Sequence, residues 1–338
     1  MKKLGVAVIG TGSWGKNHVR VYSESEEANL VGIYDVSEER ARILAKQHKI
    51  NTFSDLDSLL KNEEVEMVSI ASPTTTHAEL AIKALEAGKH VFIEKPMTST
   101  VEEAKKVIDV EKKSGKKVGI GFIERFNPVT QRSRQLIENK ELGDVVLLSA
   151  RRLGPYWPDR LKDVDVVRDV SIHDIDGFRF MVGKDPVAVY ARGGKLRHKY
   201  YDYAEILLDF GDGVTGFIES NYLTPHKFRK LMLTCEYGIV EADFMSQEFI
   251  VEDGEFIKKR KIPWKEPLSA ELNAFVSVCL NDETPPVSSD DGVKALNIAV
   301  LAMESIEEHK VINLESVSYT HLRAHETSLH LVCRLLLE

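Results

Sequence analysis

Residues 4–22 read Leu4-Gly-Val-Ala-Val-Ile-Gly10-Thr-Gly12-Ser-Trp-Gly15-Lys-Asn-His18-Val-Arg-Val-Tyr22. The opening residues are apolar and rich in β-branched side chains, which favours a buried strand. Three glycines interrupt this run, and apolar residues then recur at helical spacing. The stretch therefore predicts a strand, a tight turn and a helix in direct succession.

The same alternation continues to about residue 120. It predicts a parallel sheet with helices on both faces, the α/β class with a doubly wound sheet. The predicted strands are 5–9, 30–34, 67–70, 90–93 and 117–120, and the predicted helices include 37–48, 77–87 and 101–113. We assign residues 1–121 to a nucleotide-binding domain of the Rossmann type.

Beyond residue 122 the pattern changes to long strands separated by Asp-Gly turns, which predicts an antiparallel sheet. The predicted strands are 145–153, 187–192, 204–209, 214–221, 230–235, 238–242 and 249–251. Predicted helices at 128–139, 172–182, 268–280 and 290–308 accompany them. We assign residues 122–316 to a substrate-binding α+β domain with an open antiparallel sheet.

The glycine turn has the spacing of a dinucleotide-binding site. Gly10 would make the tight turn, Gly12 would let the backbone approach a pyrophosphate, and Gly15 would allow close packing of helix on strand. Ser13 and Trp14 lie inside the turn, and the helix amino terminus would face the phosphates. The alternative is a glycine turn with a purely structural role.

Asp35 follows Gly15 by 20 residues and ends the second predicted strand. A carboxylate there can bond the adenosine ribose hydroxyls and would repel the 2'-phosphate of NADP, so the sequence favours NAD over NADP. We add Arg40, in the next predicted helix, to the cofactor contacts. The alternative role for Asp35 is capping of that helix.

Two polar segments follow later strands of the same sheet, and ligands of open α/β sheets bind at the carboxyl ends of parallel strands. Lys95 precedes a proline, which restricts its backbone and suits a side chain that must point at a reacting centre. The alternative is a solvated lysine at a strand end. The predicted cofactor contacts in these segments are Ser72, Pro73, Thr74, His77, Glu94 and Lys95.

Four motifs together resemble the glucose-fructose oxidoreductase / inositol dehydrogenase (Gfo/Idh/MocA) family in order and spacing, over about residues 3–315. They are the Gly10-x-Gly12-x-x-Gly15 turn, Pro73-Thr74-x-x-His77, Glu94-Lys95-Pro96 and Asp169-x-x-x-His173. The resemblance implies a Rossmann domain, an open-faced antiparallel sheet, and NAD(P)-dependent oxidation of sugars, cyclic polyols or nucleotide sugars. It also implies that Lys95, Asp169 and His173 are the catalytic residues.

The chemistry of these three side chains fits that implication. Oxidation of a secondary alcohol needs a base for the hydroxyl proton, and histidine, here His173, titrates nearest neutral pH. Asp169 would share a helix face with it and orient the imidazole or bond a substrate hydroxyl. Lys95 would stabilise the developing alkoxide. For Asp174 and Asp176 we favour helix capping.

Eight arginines lie between Arg125 and Arg179, and a second cationic segment follows at 224–230. Arginine suits bidentate phosphate binding, and an aromatic side chain can stack on a base or sugar ring. Arg132, Arg134 and Arg179 we take as ordinary surface or helix arginines. The predicted substrate contacts are Arg125, Asn127, Tyr156, Trp157, Arg160, Lys227 and Arg229.

The Arg-Phe-Asn-Pro and Thr-Pro-x-Lys-x-Arg segments resemble a branch of the family that acts on UDP-N-acetylglucosamine. We therefore predict an NAD-dependent dehydrogenase of a nucleotide sugar. A dehydrogenase of inositol or a free sugar is the alternative within enzymes, and an NAD-binding regulator without turnover is the alternative outside them.

Composition excludes several other classes. The 338 residues include 53 acidic and 45 basic side chains, a net charge of −8, which disfavours nucleic acid as a partner. The longest apolar stretch, 295–303, is far short of the roughly 20 residues that span a membrane. The three cysteines have no metal-ligand spacing, so we expect no metal site and a cytoplasmic location.

We further expect a homo-oligomer that covers the open face of the second sheet, since a broad apolar face is seldom left to water. Residues 317–338 match neither domain pattern and resemble a translated cloning adaptor. We treat them as a non-native tail and assign them no function. A native amphipathic helix is the alternative.

Overall fold

The computed structural model describes residues 3–155 and 164–314. Its first sheet has six parallel strands, in agreement with the sequence. The strands are β1 (Leu4–Ile9), β2 (Ala28–Tyr34), β3 (Asn51–Thr52), β4 (Met67–Ile70), β5 (His90–Glu94) and β6 (Val118–Gly121). They are ordered β3-β2-β1-β4-β5-β6, so the strand order reverses between β1 and β4. Ligands of such sheets bind at that reversal, beyond the carboxyl ends of the strands.

Helices cover both faces of this sheet, and every residue of β1, β4 and β6 is buried. The helices are α1 (Gly15–Glu24), α2 (Glu38–His48), α3 (Leu56–Lys61), α4 (His77–Glu86) and α5 (Val101–Ser114). Helix α5 shows why the boundaries fall where they do: Thr100 and Glu103 form a capping box at its start, and Gly115 ends it with φ of 65°. The short elements β3 and α3 were not predicted from the sequence.

The second sheet is mixed and mostly antiparallel. Its strands are β7 (Val145–Leu153), β8 (Ala188–Gly194), β9 (Tyr203–Asp209), β10 (Thr215–Asn221), β11 (Phe228–Cys235), β12 (Gly238–Asp243), β13 (Phe249–Asp253), β14 (Ile257–Arg260) and β15 (Ile312–Asn313). The order is β14-β13-β12-β11-β7-β10-β9-β8-β15. The prediction of an antiparallel sheet is wrong for one pair, since β7 and β10 run parallel. A long crossover through a helix and the β8–β9 hairpin separates these two strands, and parallel neighbours require such a connection.

Four longer helices accompany this sheet: α6 (Pro128–Glu138), α7 (Ile172–Val182), α8 (Pro267–Asn281) and α9 (Ser289–Glu308). A π-helical turn, Val167–Ser171, leads directly into α7. Short 3₁₀ turns lie at Thr74–Thr76 and Ile123–Phe126. In the described part of the chain, no helix is both long and apolar enough to cross a membrane.

Helix α8 returns to the first half of the chain. Leu272, Phe275 and Val276 belong to the same buried cluster as residues of β1 and α1. A Cβ on Gly119 of β6 would stand 2.5 Å from the Phe275 ring, so the close approach of α8 requires a glycine there. A division of the chain at residue 121 therefore separates the two sheets but cuts through this shared core.

Glu271 is a buried acid on α8 beside a small cavity lined by apolar side chains. It is 1% exposed, and neither carboxyl oxygen has a hydrogen-bond partner among the described residues. Burial raises the pKa of this carboxyl well above its usual value, and the nearby charges of Glu94, Glu124 and Asp176 raise it further. The folded protein therefore keeps a proton on Glu271 at pH values where the unfolded chain has released it.

We predict that Glu271→Gln stabilises the protein increasingly as the pH rises. Above about pH 4.5 the folded state holds the extra proton, so the free energy of unfolding of the wild type falls with pH by at most about 1.4 kcal/mol per unit. The amide of the Glu271→Gln variant does not titrate, so its free energy of unfolding lacks this dependence on pH. Melting temperatures between pH 5 and 8 measure the effect, and exposed Glu283→Gln is the matched control. A constant difference between Glu271→Gln and wild type across this range would contradict an uncharged Glu271.

Candidate active site

The glycine turn between β1 and α1 has the geometry expected for a dinucleotide. Gly10 has φ of 93°, which favours glycine, and a Cβ on Gly15 would stand 1.9 Å from the carbonyl oxygen of Gly10. By contrast, no described atom lies within 4 Å of the position of a Cβ on Gly12. This leaves open space where a pyrophosphate would approach the backbone, so the turn fits the cofactor.

Asp35 joins the end of β2 to this turn. One carboxylate oxygen accepts hydrogen bonds from the Thr11 backbone N–H (2.7 Å) and hydroxyl (2.8 Å), and the other accepts from the Ser37 N–H and from Arg40. Although burial raises the pKa of Asp35, the hydrogen bonds from Ser37, Thr11 and Arg40 lower it below its usual value. The carboxylate is thus ionised, and a ribose diol must displace one of these four donors. Arg40, whose side chain is 59% exposed, is the most exposed of the donor residues.

The segments after β4 and β5 are joined by His77. Its two ring nitrogens lie 3.0 Å from the Pro96 carbonyl oxygen and 2.9 Å from that of Ser72, and the residue is 1% exposed. We predicted a cofactor contact for His77, but the ring is buried and its two nitrogens face these carbonyl oxygens, to one of which a neutral ring donates. Its observed role is to hold the Ser72-Pro73-Thr74 segment against Glu94-Lys95-Pro96.

A cleft of about 300 Å³ lies between the glycine turn and the second sheet. Both halves of the chain contribute to its walls. The lining residues are Trp14, Lys95, Ile123, Glu124, Arg152, Leu153, Gly154, Pro155, Asp169, Val170, His173, Asn221, Tyr222, Lys227, Arg229 and Met245. Trp14 of the glycine turn thus borders the same space as the predicted catalytic residues, as a hydride transfer from substrate to cofactor requires.

Lys95 and Asp169 form an ion pair at the edge of this cleft. The Nζ atom of Lys95 donates to the Asp169 carboxylate and to its backbone carbonyl, each at 2.6 Å, and only 7% of the lysine side chain is exposed. The Tyr222 hydroxyl donates to the second carboxylate oxygen. Asp169 therefore fixes the lysine ammonium at the mouth of the cleft.

His173 lines the same cleft, one turn after Asp169, as the predicted shared helix face implies. The residue is 8% exposed, and its Nδ1 has no hydrogen-bond partner among the residues that the structure describes. Burial lowers the pKa of His173 well below 6.5, and the positive charges of Lys95, Arg152 and Arg229 lower it further. The imidazole is neutral at physiological pH and able to accept a proton.

Two buried arginine–aspartate pairs hold the helix that carries His173. Arg152 of β7 donates to both Asp174 oxygens at 2.9 and 2.8 Å, and Arg125 donates to both Asp176 oxygens at 2.7 and 2.6 Å. These aspartates were predicted to cap the helix. Each instead neutralises a buried guanidinium.

Two predicted substrate contacts consequently lie elsewhere. Arg125 is 7% exposed, and its donors are used by Asp176, Asp291 and the Pro286 carbonyl. Asn127 is 2% exposed and caps α6 while donating to the Phe244 carbonyl. The motif that contains both residues is structural, because buried polar groups at a domain junction need partners.

The arginines set aside as ordinary divide into two kinds. Arg132 and Arg134 form surface pairs with Glu141 and Glu138, as expected. Arg179 is wrongly placed with them, since it is 7% exposed and pairs with Asp176 and Asp185.

Arg229 is an arginine of the cleft that differs from Arg125 and Arg152 in its partners. It lies on β11 directly opposite Arg152 of β7, and both line the cleft. Its guanidinium forms no ion pair with a carboxylate of residues 3–155 or 164–314. Burial and the charge of Arg152 lower the pKa of Arg229, while Glu124, Asp174 and Asp169 act in the opposite direction. Lys227 also lines the cleft, whereas Tyr156, Trp157 and Arg160 lie outside the described residues.

Ten of the sixteen residues that line the cleft were not among the predicted contacts, and they include the polar residues Glu124, Arg152 and Tyr222. Arg152 and Tyr222 lie at the ends of long strands that the sequence did predict. In the first sheet, position at the end of a strand was the signal that identified candidate ligand contacts. The antiparallel sheet carries no equivalent rule, because only its pairing shows which strand ends meet.

Two family models match the chain in succession. The first, described as an oxidoreductase family with an NAD-binding Rossmann fold, matches residues 4–122. The second, the GFO/IDH/MocA C-terminal domain, matches residues 130–241.

Relatives with two kinds of named substrate are similar to this chain. UDP-N-acetylglucosamine 3-dehydrogenase of Acidithiobacillus ferrooxidans is 32% identical over 246 residues, 73% of this chain and 76% of the relative. Myo-inositol 2-dehydrogenase of Thermotoga maritima is 27% identical over 333 residues, 92% of this chain and 99% of the relative. A crystal structure of the former superposes with a TM-score of 0.84 and 28% identity, covering 91% of this chain and 99% of that one.

We predict that Asp35→Ser narrows the preference for NAD over NADP. The change removes the charge that repels a 2'-phosphate and releases Arg40 to bind it. Calorimetry gives the dissociation constants of NAD and NADP. Their ratio is insensitive to a general loosening of the glycine turn, because such loosening weakens the binding of both dinucleotides. Asp35→Ser/Arg40→Ala should lose the gain in NADP affinity. An unchanged ratio in Asp35→Ser would show that Asp35 does not face the ribose.

Proposed function

Because the chain belongs to the GFO/IDH/MocA oxidoreductase family and is an NAD-dependent dehydrogenase of CH–OH groups, we propose that it oxidises a secondary hydroxyl of a nucleotide sugar. UDP-N-acetylglucosamine, the substrate named for one of the relatives, is the candidate. The observation that carries the nucleotide-sugar assignment is the guanidinium of Arg229, which lines the cleft without a carboxylate partner in the described part of the chain.

His173 is the base in this proposal. A neutral imidazole that lines the cleft is able to take the hydroxyl proton. NAD, when bound, supplies the acceptor for the hydride that leaves the same carbon. Trp14 of the glycine turn lines the same cleft as His173, which supports a cofactor bound close to this base.

Lys95 bonds the reacting oxygen and stabilises its developing negative charge. Asp169 and Tyr222 hold the ammonium in place, since the lysine donates to the Asp169 carboxylate and the tyrosine hydroxyl donates to the same group. Lys95 and His173 thus act on the same hydroxyl from the two halves of the chain.

Arg229 supplies the specificity for a nucleotide sugar over a neutral polyol in this proposal. A half-buried guanidinium without a carboxylate partner has lost part of its hydration, and an anionic ligand group compensates for that cost. A diphosphate provides such a group. A free cyclic polyol has no charge to offer Arg229, so the inositol alternative leaves this guanidinium unexplained.

The deciding experiment is an NADH-absorbance screen of the purified protein with UDP-sugars, free hexoses and inositols. UDP should inhibit competitively against the substrate. If UDP does not compete and inositol or a hexose turns over faster than any UDP-sugar, the polyol alternative replaces the nucleotide sugar.

We predict that kcat/KM for the oxidation is level from pH 8 to about 6.5 and falls only at lower pH. The base must be unprotonated, and its pKa lies well below 6.5. His173→Ala should lower kcat by about 10² or more at pH 7 while NAD binding is retained. Near wild-type turnover in His173→Ala, or an acid limb centred above pH 7, contradicts the assignment.

We predict that Arg229→Ala raises KM for the UDP-sugar by about tenfold or more, the value of one charge-assisted hydrogen bond to phosphate. The same change removes a positive charge near His173, so the acid limb of the pH profile should move to higher pH. The matched control is Lys230→Ala, the next residue on β11, which pairs with Asp243. Equal KM values for wild type and Arg229→Ala would remove the support for a bound phosphate.

A further inference from the structure

A buried chain of hydrogen bonds runs from helix α1 to the end of β5. The two ring nitrogens of His18 lie 2.9 Å from the Ser69 hydroxyl and 2.9 Å from a carboxylate oxygen of Glu94. The Tyr22 hydroxyl donates to Ser69 at 3.3 Å, and the second Glu94 oxygen accepts from the Lys95 backbone N–H at 3.2 Å. His18 and Ser69 are fully buried, Tyr22 is 1% exposed and Glu94 is 7% exposed.

The chemistry of these groups fixes the direction of the chain. A carboxylate only accepts, so the Nε2 of His18 carries the hydrogen that bonds Glu94. In a neutral ring Nδ1 then accepts, and the Ser69 hydroxyl donates to it. Ser69 in turn accepts from Tyr22, whose phenol stays protonated because burial raises its pKa. With this assignment each hydrogen is used once and no buried donor is left over.

We propose that His18 is a positioning residue for the dehydrogenase reaction, acting through Glu94 on Lys95. Glu94 is adjacent to Lys95 and accepts the N–H of that lysine, so the orientation of its carboxylate fixes the peptide unit from which the lysine side chain extends. His18 fixes that carboxylate. Its ring is itself held edge-on between Tyr22 and Phe92, with centroids 6.3 and 5.8 Å away.

This arrangement matters because the ammonium of Lys95 bonds Asp169 from the other half of the chain. A shift of the Lys95 backbone moves the group that must meet the reacting oxygen, and catalysis is sensitive to displacements well below 1 Å. The inference rests on the role of Lys95 in the proposed function.

Three substitutions of His18 separate positioning from mere core filling. Glutamine places an amide N–H near the position of Nε2 and keeps the bond to Glu94, whereas asparagine is polar but reaches only the position of Nδ1. Leucine fills the space without either bond. We expect kcat to fall by about tenfold or more in His18→Leu and His18→Asn and to recover to within about threefold of wild type in His18→Gln. The dissociation constant of NAD should stay within about threefold, since the glycine turn is untouched.

Melting temperatures are measured on the same variants. If kcat follows the melting temperature across the three variants, or if His18→Leu retains the kcat of the wild type, the positioning role is overturned. Because a core substitution can prevent folding, NMR of ¹⁵N-histidine-labelled wild-type protein gives a second readout. We expect the long-range ¹H–¹⁵N pattern of a ring that carries hydrogen on Nε2, and a ring with hydrogen on Nδ1 alone would overturn the proposed direction of the chain.

Lys95→Ala distinguishes the failure of this inference from that of the proposed function. An inactive Lys95→Ala enzyme beside a fully active His18→Leu enzyme rejects only the role of His18. A fully active Lys95→Ala enzyme rejects the assignment of Lys95, on which both rest.

Discussion

Two buried ion pairs, Arg152–Asp174 and Arg125–Asp176, are the constraint on which the active site depends. They connect α7 to the central strand β7 and to the junction between the two halves. Loss of one partner from such a pair typically costs about 3 to 5 kcal/mol, because the other charge is left buried and alone. His173 precedes Asp174 directly, so the same contacts that stabilise the fold set the position of the imidazole.

The cations around the cleft differ in whether a carboxylate neutralises them. Lys95 is matched by Asp169, and Arg152 by Asp174 and Glu124, whereas Arg229 has no matching carboxylate among the described residues. Burial, together with the positive charges of Lys95, Arg152 and Arg229, keeps the His173 imidazole neutral. The positive charges that help to lower the pKa of this base would also attract the anionic substrate that we propose.

The first half of the chain was predictable because its signals are local. Strand, glycine turn and helix follow one another within 20 residues, and parallel strands all present their carboxyl ends at one edge. The second half depends on pairing between distant segments. The sequence placed Arg125 and Asn127 in the substrate site because their motif is cationic and polar, but it could not show that Asp176 and Asp291 lie beside Arg125.

The dependence on pairing between distant segments also explains why Asp174 and Asp176 were wrongly predicted to cap α7. Helix capping is a local property and the sequence suggested it, whereas their real partners come from residues 22 and 51 positions away. The pairing of α8 with the first sheet is equally non-local, since nothing in the pattern of residues 267–281 indicates which half of the chain it covers.

The side-by-side register of Arg152 and Arg229 has an evolutionary consequence. Arg152 is neutralised from below by Asp174, which does not itself line the cleft. Exchange of that aspartate for a neutral residue would leave Arg152 paired with Glu124 alone and would raise the net positive charge of the cleft without changing any side chain that lines it. Such a change would also weaken the anchoring of α7. A change in the substrate charge that the cleft accepts is thereby coupled to the stability of the fold. A comparison of homologous sequences that is restricted to cleft-lining positions would not detect the substitution at residue 174.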